Sequence, residues 1–91
     1  MATIQITKIH DTLFEVTVAA GSNTVHQVSV QADYAQKLSG ECINIEVLLK
    51  KSFEFLLARE SNTSILLSFD LSVIARYFPE FEREIMCEFL Q

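Results

Sequence analysis

The sequence has no tryptophan, two glycines, one proline and two cysteines among its 91 residues. So little glycine and proline excludes collagen-like chains and flexible linkers, which are rich in these residues. Gly21 and Gly40 stand alone, so there is no glycine-rich phosphate loop and we expect no nucleotide cofactor. Cys42 and Cys87 lack the close pairing typical of zinc or redox motifs. We therefore expect no metal and no other cofactor.

Basic residues are also few, with seven Lys and Arg against twelve Asp and Glu, for a formal net charge of −5. Neither half of the chain carries the excess of positive charge that nucleic-acid binding requires, so nucleic acid is disfavoured as a partner of the monomer. No apolar run approaches the roughly 20 residues of a membrane span. The first residues lack the features of a signal peptide, so we expect no membrane association and a cytoplasmic location.

Hydrophobic residues nevertheless make up 49% of the chain, which excludes intrinsic disorder. A chain of this length is expected to form a single domain over residues 1–91. Seven phenylalanines, most of them in the second half, exceed what a small core needs. Because small domains often complete their cores by association, we expect a homo-oligomer, specifically a homodimer.

Apolar and polar residues alternate with a period of two in three short runs near the start of the chain. Their apolar faces are formed by Ile4 and Ile6, by Phe14, Val16 and Val18, and by Val28 and Val30. This alternation predicts a three-stranded antiparallel β-meander over residues 1–31. Gly21, between Ala20 and Ser22, is a strong signal for the second hairpin turn.

From residue 32 to residue 91 the apolar spacing becomes helical. A short helix over 33–38 is expected to end at Gly40, and Asn44 is predicted to cap a long helix that reaches about Glu60. Asp70 is predicted to cap a third helix, and Pro79 to separate it from a last one. The predicted fold class is α+β, with the antiparallel meander followed by a bundle of about four helices.

Two arginines and a tyrosine, Arg59, Arg76 and Tyr77, interrupt otherwise apolar stretches of the helical part. We favour a structural interpretation, in which an arginine pairs with Glu54 or Glu60 and fixes the angle between two helices. If a pocket exists there instead, these three side chains are the polar groups that we expect to line it.

The last predicted helix is rich in carboxylates, including Glu80, Glu84 and Glu88. Carboxylates at these spacings do not converge as an acid–base pair, so a solvated acidic face is the simpler interpretation. Such a face would attract a basic protein partner. We therefore predict a small interaction or regulatory module, and an enzyme is less favoured.

Two alternatives remain open. A dimer could gather Lys50 and Lys51 from both copies and bind nucleic acid as a regulator. A small thiol-dependent enzyme could use Cys42, which precedes the long helix, with His10 or His26 nearby. Both histidines are more simply interpreted as isolated residues at the surface or at a strand edge.

Three segments of the second half carry a resemblance. They are Ser-Phe-Glu-Phe-Leu-Leu-Ala-Arg-Glu at 52–60, Ser-Ile-Leu at 64–66 and Phe-Asp-Leu-Ser-Val-Ile-Ala-Arg-Tyr-Phe-Pro-Glu at 69–80. Together with the preceding hairpin pattern they resemble a small, functionally uncharacterised bacterial protein family over nearly the whole chain. The resemblance implies a bacterial cytosolic protein, and it transfers neither an activity nor a functional residue.

Overall fold

The computed structural model describes residues 3–39 and 44–89. The elements in chain order are β1 (Thr3–Lys8), β2 (Leu13–Ala20), β3 (Ser22–Ser29), α1 (Ala32–Ser39), α2 (Ile45–Leu57), a 3₁₀ turn (Asn62–Ser64), β4 (Ser68–Asp70), α3 (Val73–Tyr77) and α4 (Phe81–Phe89). The α+β class is confirmed. The cap expected at Gly40 and the thiol of Cys42 lie outside the described residues, as does the side chain of Glu88.

The sheet has the order β1-β2-β3-β4. β1, β2 and β3 are joined by antiparallel hairpins, which confirms the predicted meander. Gly21 connects β2 to β3 with a φ of +85°, a left-handed conformation in which glycine avoids the steric penalty of a Cβ. The hairpin signal at this position was therefore interpreted correctly.

β4 corrects the prediction of a purely antiparallel, three-stranded sheet followed only by helices. Residues 68–70, assigned to the helical part from sequence, pair in parallel with β3, with Phe69 opposite Val28. Asp70 is thus the last residue of a strand, and the N-cap position of α3 is Ser72 rather than the predicted Asp70. The carboxylate still contacts the start of α3, because Ser72 donates its backbone N–H to it over 3.1 Å.

A side-chain cap and a proline set the boundaries of the helices. Asn44 caps α2 as predicted, since its side-chain oxygen accepts from the backbone N–H groups of Glu46 and Val47. α2 ends at Leu57, three residues before the predicted end. Pro79 lies between α3 and α4, which also confirms the predicted break.

The core lies on one face of the sheet, between the strands and the helices. Its largest fully buried side chains include Phe53 of α2 and Phe81 of α4, packed with the inward valines of β2 and β3. α2 lies against the β1 side, and α4 packs on α1, α2 and α3. The helices therefore form a layer on the sheet rather than a separate bundle. Within the described residues no helix is both long and apolar enough to cross a bilayer.

Candidate functional site

A groove opens at the β4 edge of the molecule and has a volume of about 340 Å³. Its floor and walls come from the end of α2, the segment 64–66, β4 and α3, and we call it the β4 groove. Most of its lining is apolar, including Leu56, Phe69 and Ile74. This volume and composition are typical of sites that bind a ligand side chain or a small molecule.

Large exposed apolar side chains concentrate around this groove. Leu66 is 49% exposed, its neighbour Leu67 65% and Tyr77 67%, and they make up three of the six large apolar side chains that are exposed among the described residues. Leu66 and Tyr77 line the groove directly. Clustered apolar exposure beside a concave surface is characteristic of interaction sites.

The polar lining of the β4 groove differs from the expected one. Tyr77 lies at its rim as predicted, whereas Glu60 and Ser64 stand where Arg59 and Arg76 were expected. Glu60 is half-buried, and none of the described residues pairs with its carboxylate. Arg76 is exposed in the last turn of α3, without an ion pair to the described part of the chain. The charge available in the groove is therefore negative.

β4 also presents a backbone edge beside the groove. It is the last strand of the described sheet, so only β3 pairs with it. Gln27 donates to the carbonyl of Leu67, and Leu71 donates to the carbonyl of Ser29. Because the backbone groups of alternate residues in a strand point to opposite edges, the N–H and C=O of Ser68 face away from β3.

The chain just before β4 is fixed by His26, which corrects its interpretation as a surface or edge histidine. His26 is fully buried, and its ring lies 5.4 Å from the ring of Phe53. Nδ1 donates to the carbonyl of Leu66 over 2.7 Å, because a carbonyl only accepts. Nε2 lies 2.8 Å from the hydroxyl of Thr24, so both ring nitrogens have a hydrogen-bond partner. His26 therefore holds the leucine-rich rim of the groove against β3.

A second polar contact supports the same segment. The Asn62 side chain in the 3₁₀ turn is buried and donates to the carbonyl of Ser22 over 2.8 Å and to the hydroxyl of Thr24 over 3.0 Å. These bonds join the connection between α2 and β4 to the start of β3. The buried side chains of His26 and Asn62 thus have their hydrogen bonds satisfied by backbone carbonyls and the Thr24 hydroxyl, which indicates a structural role.

The other end of β4 is fixed by Asp70. Its carboxylate accepts from the hydroxyl of Ser29 over 2.8 Å, and also from the hydroxyl and the backbone N–H of Ser72. Burial by itself would raise the pKa of Asp70, but the hydrogen bonds from Ser72 and Ser29 outweigh it and lower that pKa below its usual value. The ionised form is therefore favoured in the folded protein.

Arg59 joins α2 to the start of α4. Its Nη2 lies 2.9 Å from a Glu84 oxygen and its Nε 3.4 Å from a Glu80 oxygen, so its partners are not the predicted Glu54 or Glu60. The guanidinium also lies 3.6 Å from the centre of the Phe55 ring. The favoured structural interpretation of Arg59 thus agrees with its contacts, although its partners were predicted wrongly.

Glu82 joins α4 to α1. The hydroxyl of Tyr34 donates to Glu82 over 2.8 Å, and Lys37 lies 3.2 Å from the other carboxylate oxygen. The hydrogen bond from Tyr34 is the main cause that lowers the pKa of Glu82, with Lys37 adding to it against the effect of burial. Burial and the bond to Glu82 raise the pKa of Tyr34 above its usual value.

These contacts change the interpretation of the acidic helix. Glu80 and Glu84 are bound by Arg59, and Glu82 by Tyr34 and Lys37. Their negative charge is partly compensated within the protein, while the side chain of Glu88 lies outside the described residues. The carboxylate best placed to meet a basic partner is instead Glu60 in the β4 groove.

The lysines and cysteines considered for the alternative functions do not form a second candidate site among the described residues. Lys51 lines a cavity together with Glu54, Arg59 and Glu84, so the positive charge there lies beside carboxylates. Cys87 is exposed and forms no disulfide. Within residues 3–39 and 44–89 there is no group of three or more His, Cys, Asp or Glu side chains that could hold a metal ion.

Sequence reasoning missed Leu66, Leu67 and Ser68 as functional candidates. The two leucines and Ile65 before them follow a polar loop over 61–64, and this pattern predicts a short turn capped by Ser64 rather than an extended segment. Two adjacent apolar residues in an extended segment point to opposite sides, so both are buried only where the chain is covered on both sides. This pair could have been recognised as an exposed edge only if the extended conformation had been anticipated.

Comparisons of this chain with protein-family models, with curated proteins and with solved structures find no match.

Proposed function

We propose that this protein is a protein-interaction module whose β4 groove binds an extended, apolar and basic segment of another protein. The observation that carries the proposal is that the exposed Leu66 and Tyr77 line one concave apolar surface, with the exposed Leu67 next to Leu66 in the chain. Exposing such side chains to water costs free energy, which a partner that covers them recovers. Following the resemblance in the sequence, we expect this module in the bacterial cytoplasm.

Charge defines the second property of the proposed partner. Glu60 is the charged side chain that lines the groove, and the whole chain carries a net charge of −5. A lysine or arginine in the bound segment would pair with Glu60, and the overall field would accelerate its association. This proposal keeps the basic partner predicted from the sequence and moves its binding site from α4 to the groove.

The open edge of β4 defines the conformation of the bound segment. Peptides that add a strand to a sheet edge gain affinity from main-chain hydrogen bonds and specificity from pockets for alternate side chains. Ser68 offers the outward N–H and C=O, and the β4 groove lies beside it as the pocket. An extended segment that pairs with Ser68 would direct an apolar side chain into the groove.

The groups around the groove suit recognition better than acid–base catalysis. Glu60 and Tyr77 are the titratable side chains of its rim, and among the described residues neither forms a hydrogen bond that would activate a nucleophile. The hydroxyl of Ser64 bonds with the hydroxyl of Ser61, not with a base. These features support a binding role for the site.

The proposal is tested by selecting random linear peptides displayed on phage against the purified protein. We expect the selected peptides to combine large apolar residues with lysine or arginine. Leu66→Asp and Tyr77→Ala should weaken their binding at least about tenfold, since anchor residues at interfaces contribute this much or more. Ile9→Asp is the matched control, because Ile9 is also a large exposed apolar residue, 40% exposed, but follows β1 at the opposite edge of the sheet from the groove.

Glu60→Lys separates charge recognition from apolar contact. This variant should lose the selected basic peptides and, in a new selection, enrich acidic ones. Selected peptides that bind Leu66→Asp as well as the unchanged protein would place the binding site elsewhere and overturn the proposal. Failure to enrich any sequence would also count against it.

A further inference from the structure

We propose that the open edge of β1 pairs with β1 of a second copy, so that two chains form one continuous eight-stranded sheet about a two-fold axis. β1 lies at the opposite edge of the described sheet from β4, so this contact is independent of the β4 groove. The homodimer expected from the excess of hydrophobic residues would thus form through the edge of β1. Three observations on β1 and α2 support it.

The first observation is a palindrome in the strand. Residues 3–7 read Thr-Ile-Gln-Ile-Thr, which is symmetric about Gln5. In an antiparallel pair centred on Gln5, Thr3 faces Thr7 of the second copy and Ile4 faces Ile6. Threonine opposite threonine and β-branched apolar residues opposite each other are favourable cross-strand pairs. The strand is therefore complementary to itself in both hydrogen bonding and side chains.

The second observation is that β1 lacks the features that protect an edge strand. It contains no proline, and its six residues pair with β2 in an unbroken register without a bulge. Natural edge strands usually carry a proline, a bulge or an inward-pointing charge near their middle, which blocks pairing with another chain. The charged residue of β1 is Lys8 at its end, away from the centre at Gln5.

The third observation is on α2, which packs beside β1. A cavity of about 450 Å³ lies between them and is lined by Thr3, Ile4, Lys50 and Glu54, with Leu57 and Ala58. Lys50 and Glu54 are exposed and form no ion pair with each other or with other described residues. Val47, Lys50, Glu54 and Leu57 follow helical spacing and form one stripe on the β1 side of α2.

This stripe is also complementary to itself. A two-fold axis perpendicular to the sheet keeps both helical layers on the same face and makes the two α2 helices antiparallel neighbours. Antiparallel pairing about position 52 brings Val47 opposite Leu57 of the second copy and Lys50 opposite its Glu54. The same two-fold axis therefore places apolar side chains opposite apolar ones and lysines opposite glutamates on the two helices. It also pairs the two β1 strands through their symmetric sequence.

A charge-exchange experiment tests this arrangement in the full-length protein by light scattering after size exclusion. The unchanged protein should be a dimer. Lys50→Glu and Glu54→Lys should each weaken dimerisation by about tenfold or more, since each creates two like-charge contacts per dimer. An equimolar mixture of the two variants should dimerise again as a heterodimer. In that heterodimer two carboxylates of the first variant, at positions 50 and 54, face two lysines of the second. Leu66→Asp, in the β4 groove, should leave the dimer intact.

A cysteine placed on the axis tests the strand pairing separately. In a background with Cys42→Ala and Cys87→Ala, Gln5→Cys should form a disulfide between copies under mild oxidation, because Gln5 faces itself across the axis. Thr3→Cys alone should not, since it faces Thr7 and has no second thiol opposite. A protein that is monomeric at high micromolar concentration would overturn the proposal. A dimer whose affinity is unchanged by Lys50→Glu and by Glu54→Lys, and which forms no disulfide through Gln5→Cys, would overturn it equally.

Discussion

The Nδ1 atom of His26 lies 2.7 Å from the carbonyl oxygen of Leu66, forty residues further along the chain. This bond connects the fully buried interior of β3 with the exposed rim of the proposed binding site. The same ring is held on its other side by Thr24, which in turn is bonded by Asn62. The groove at β4 is therefore positioned by a buried polar network as well as by apolar packing.

His26→Leu should destabilise the fold by about 2 kcal/mol or more, because the carbonyl of Leu66 and the hydroxyl of Thr24 lose a buried partner. Urea unfolding followed by circular dichroism measures this change. His10→Leu is the control, since His10 is exposed in the β1–β2 turn and should change stability by less than about 0.5 kcal/mol. Equal effects of the two substitutions would contradict the role given to His26.

Asp70 predicts a loss of stability in acid. Its pKa is lower in the folded protein than in the unfolded chain, so its contribution is complete above about pH 4 and disappears as the pH falls through the folded value. Asp70→Asn should therefore be less stable than the unchanged protein at neutral pH, and the difference should shrink below about pH 4. Urea midpoints across this range measure it.

Asp11→Asn provides the comparison for Asp70, because the Asp11 carboxylate is fully exposed in its contact with Lys8. This substitution should leave the acid profile unchanged, since exposed ion pairs contribute little. A difference between Asp70→Asn and the unchanged protein that persists undiminished into strong acid would refute the prediction.

Tyr34 predicts a loss of stability in alkali. The pKa of its hydroxyl is raised in the folded protein, so above about pH 10 the unfolded chain ionises first and is favoured. The advantage of the unchanged protein over Tyr34→Phe should therefore decrease as the pH rises beyond about 10. Thermal unfolding at a series of alkaline pH values measures this decrease.

A spectroscopic titration tests the same group directly. The chain has two tyrosines, so Tyr77→Phe leaves Tyr34 as the one source of phenolate absorbance. That absorbance should appear at higher pH in the folded protein than in the urea-unfolded chain. Coincident titration curves would show that the bond to Glu82 is not formed in solution.

Arg59 and Arg76 should differ, although both were equal candidates from sequence. Arg59→Met should cost about 1 kcal/mol, because Glu80 and Glu84 lose their partner and Phe55 loses the cation above its ring. Arg76→Met should change stability by less than about 0.5 kcal/mol, since Arg76 is exposed and unpaired among the described residues. The effect of Arg59→Met should diminish in high salt, which screens the ion pairs but not the ring contact.

Local patterns predicted much of the fold because the responsible interactions are short in sequence. The alternation in residues 3–30 specifies which side of each strand is buried, Asn44 caps the residues that follow it, and Pro79 cannot continue a helix. β4 was missed because its three residues are too short to show a period. Its pairing with β3 depends on a contact between segments about forty residues apart, which no local pattern encodes.

The candidate site could be predicted only in part from the sequence, for the same reason. Tyr77 was among the polar groups expected if a pocket existed, whereas Glu60 entered only as a partner for an arginine and Leu66 only as part of a short turn. The acidic residues of α4 were recognisable from their spacing, but their pairing with Arg59 and Tyr34 required the helices to be placed side by side. Carboxylates that the sequence suggests are exposed and unpaired are thus bound by Arg59 and Tyr34 once the chain has folded.

The sequence by itself determined the α+β class, the meander, the cap at Asn44 and the symmetric strand around Gln5, because each depends on neighbouring residues or on a period of two. Only the tertiary structure decided that His26 is buried, that β4 closes the sheet in parallel, and that Leu66 and Tyr77 meet across a groove. These features arise from contacts between distant segments, whose free energy comes from burial and hydrogen bonds that exist only once the chain has packed.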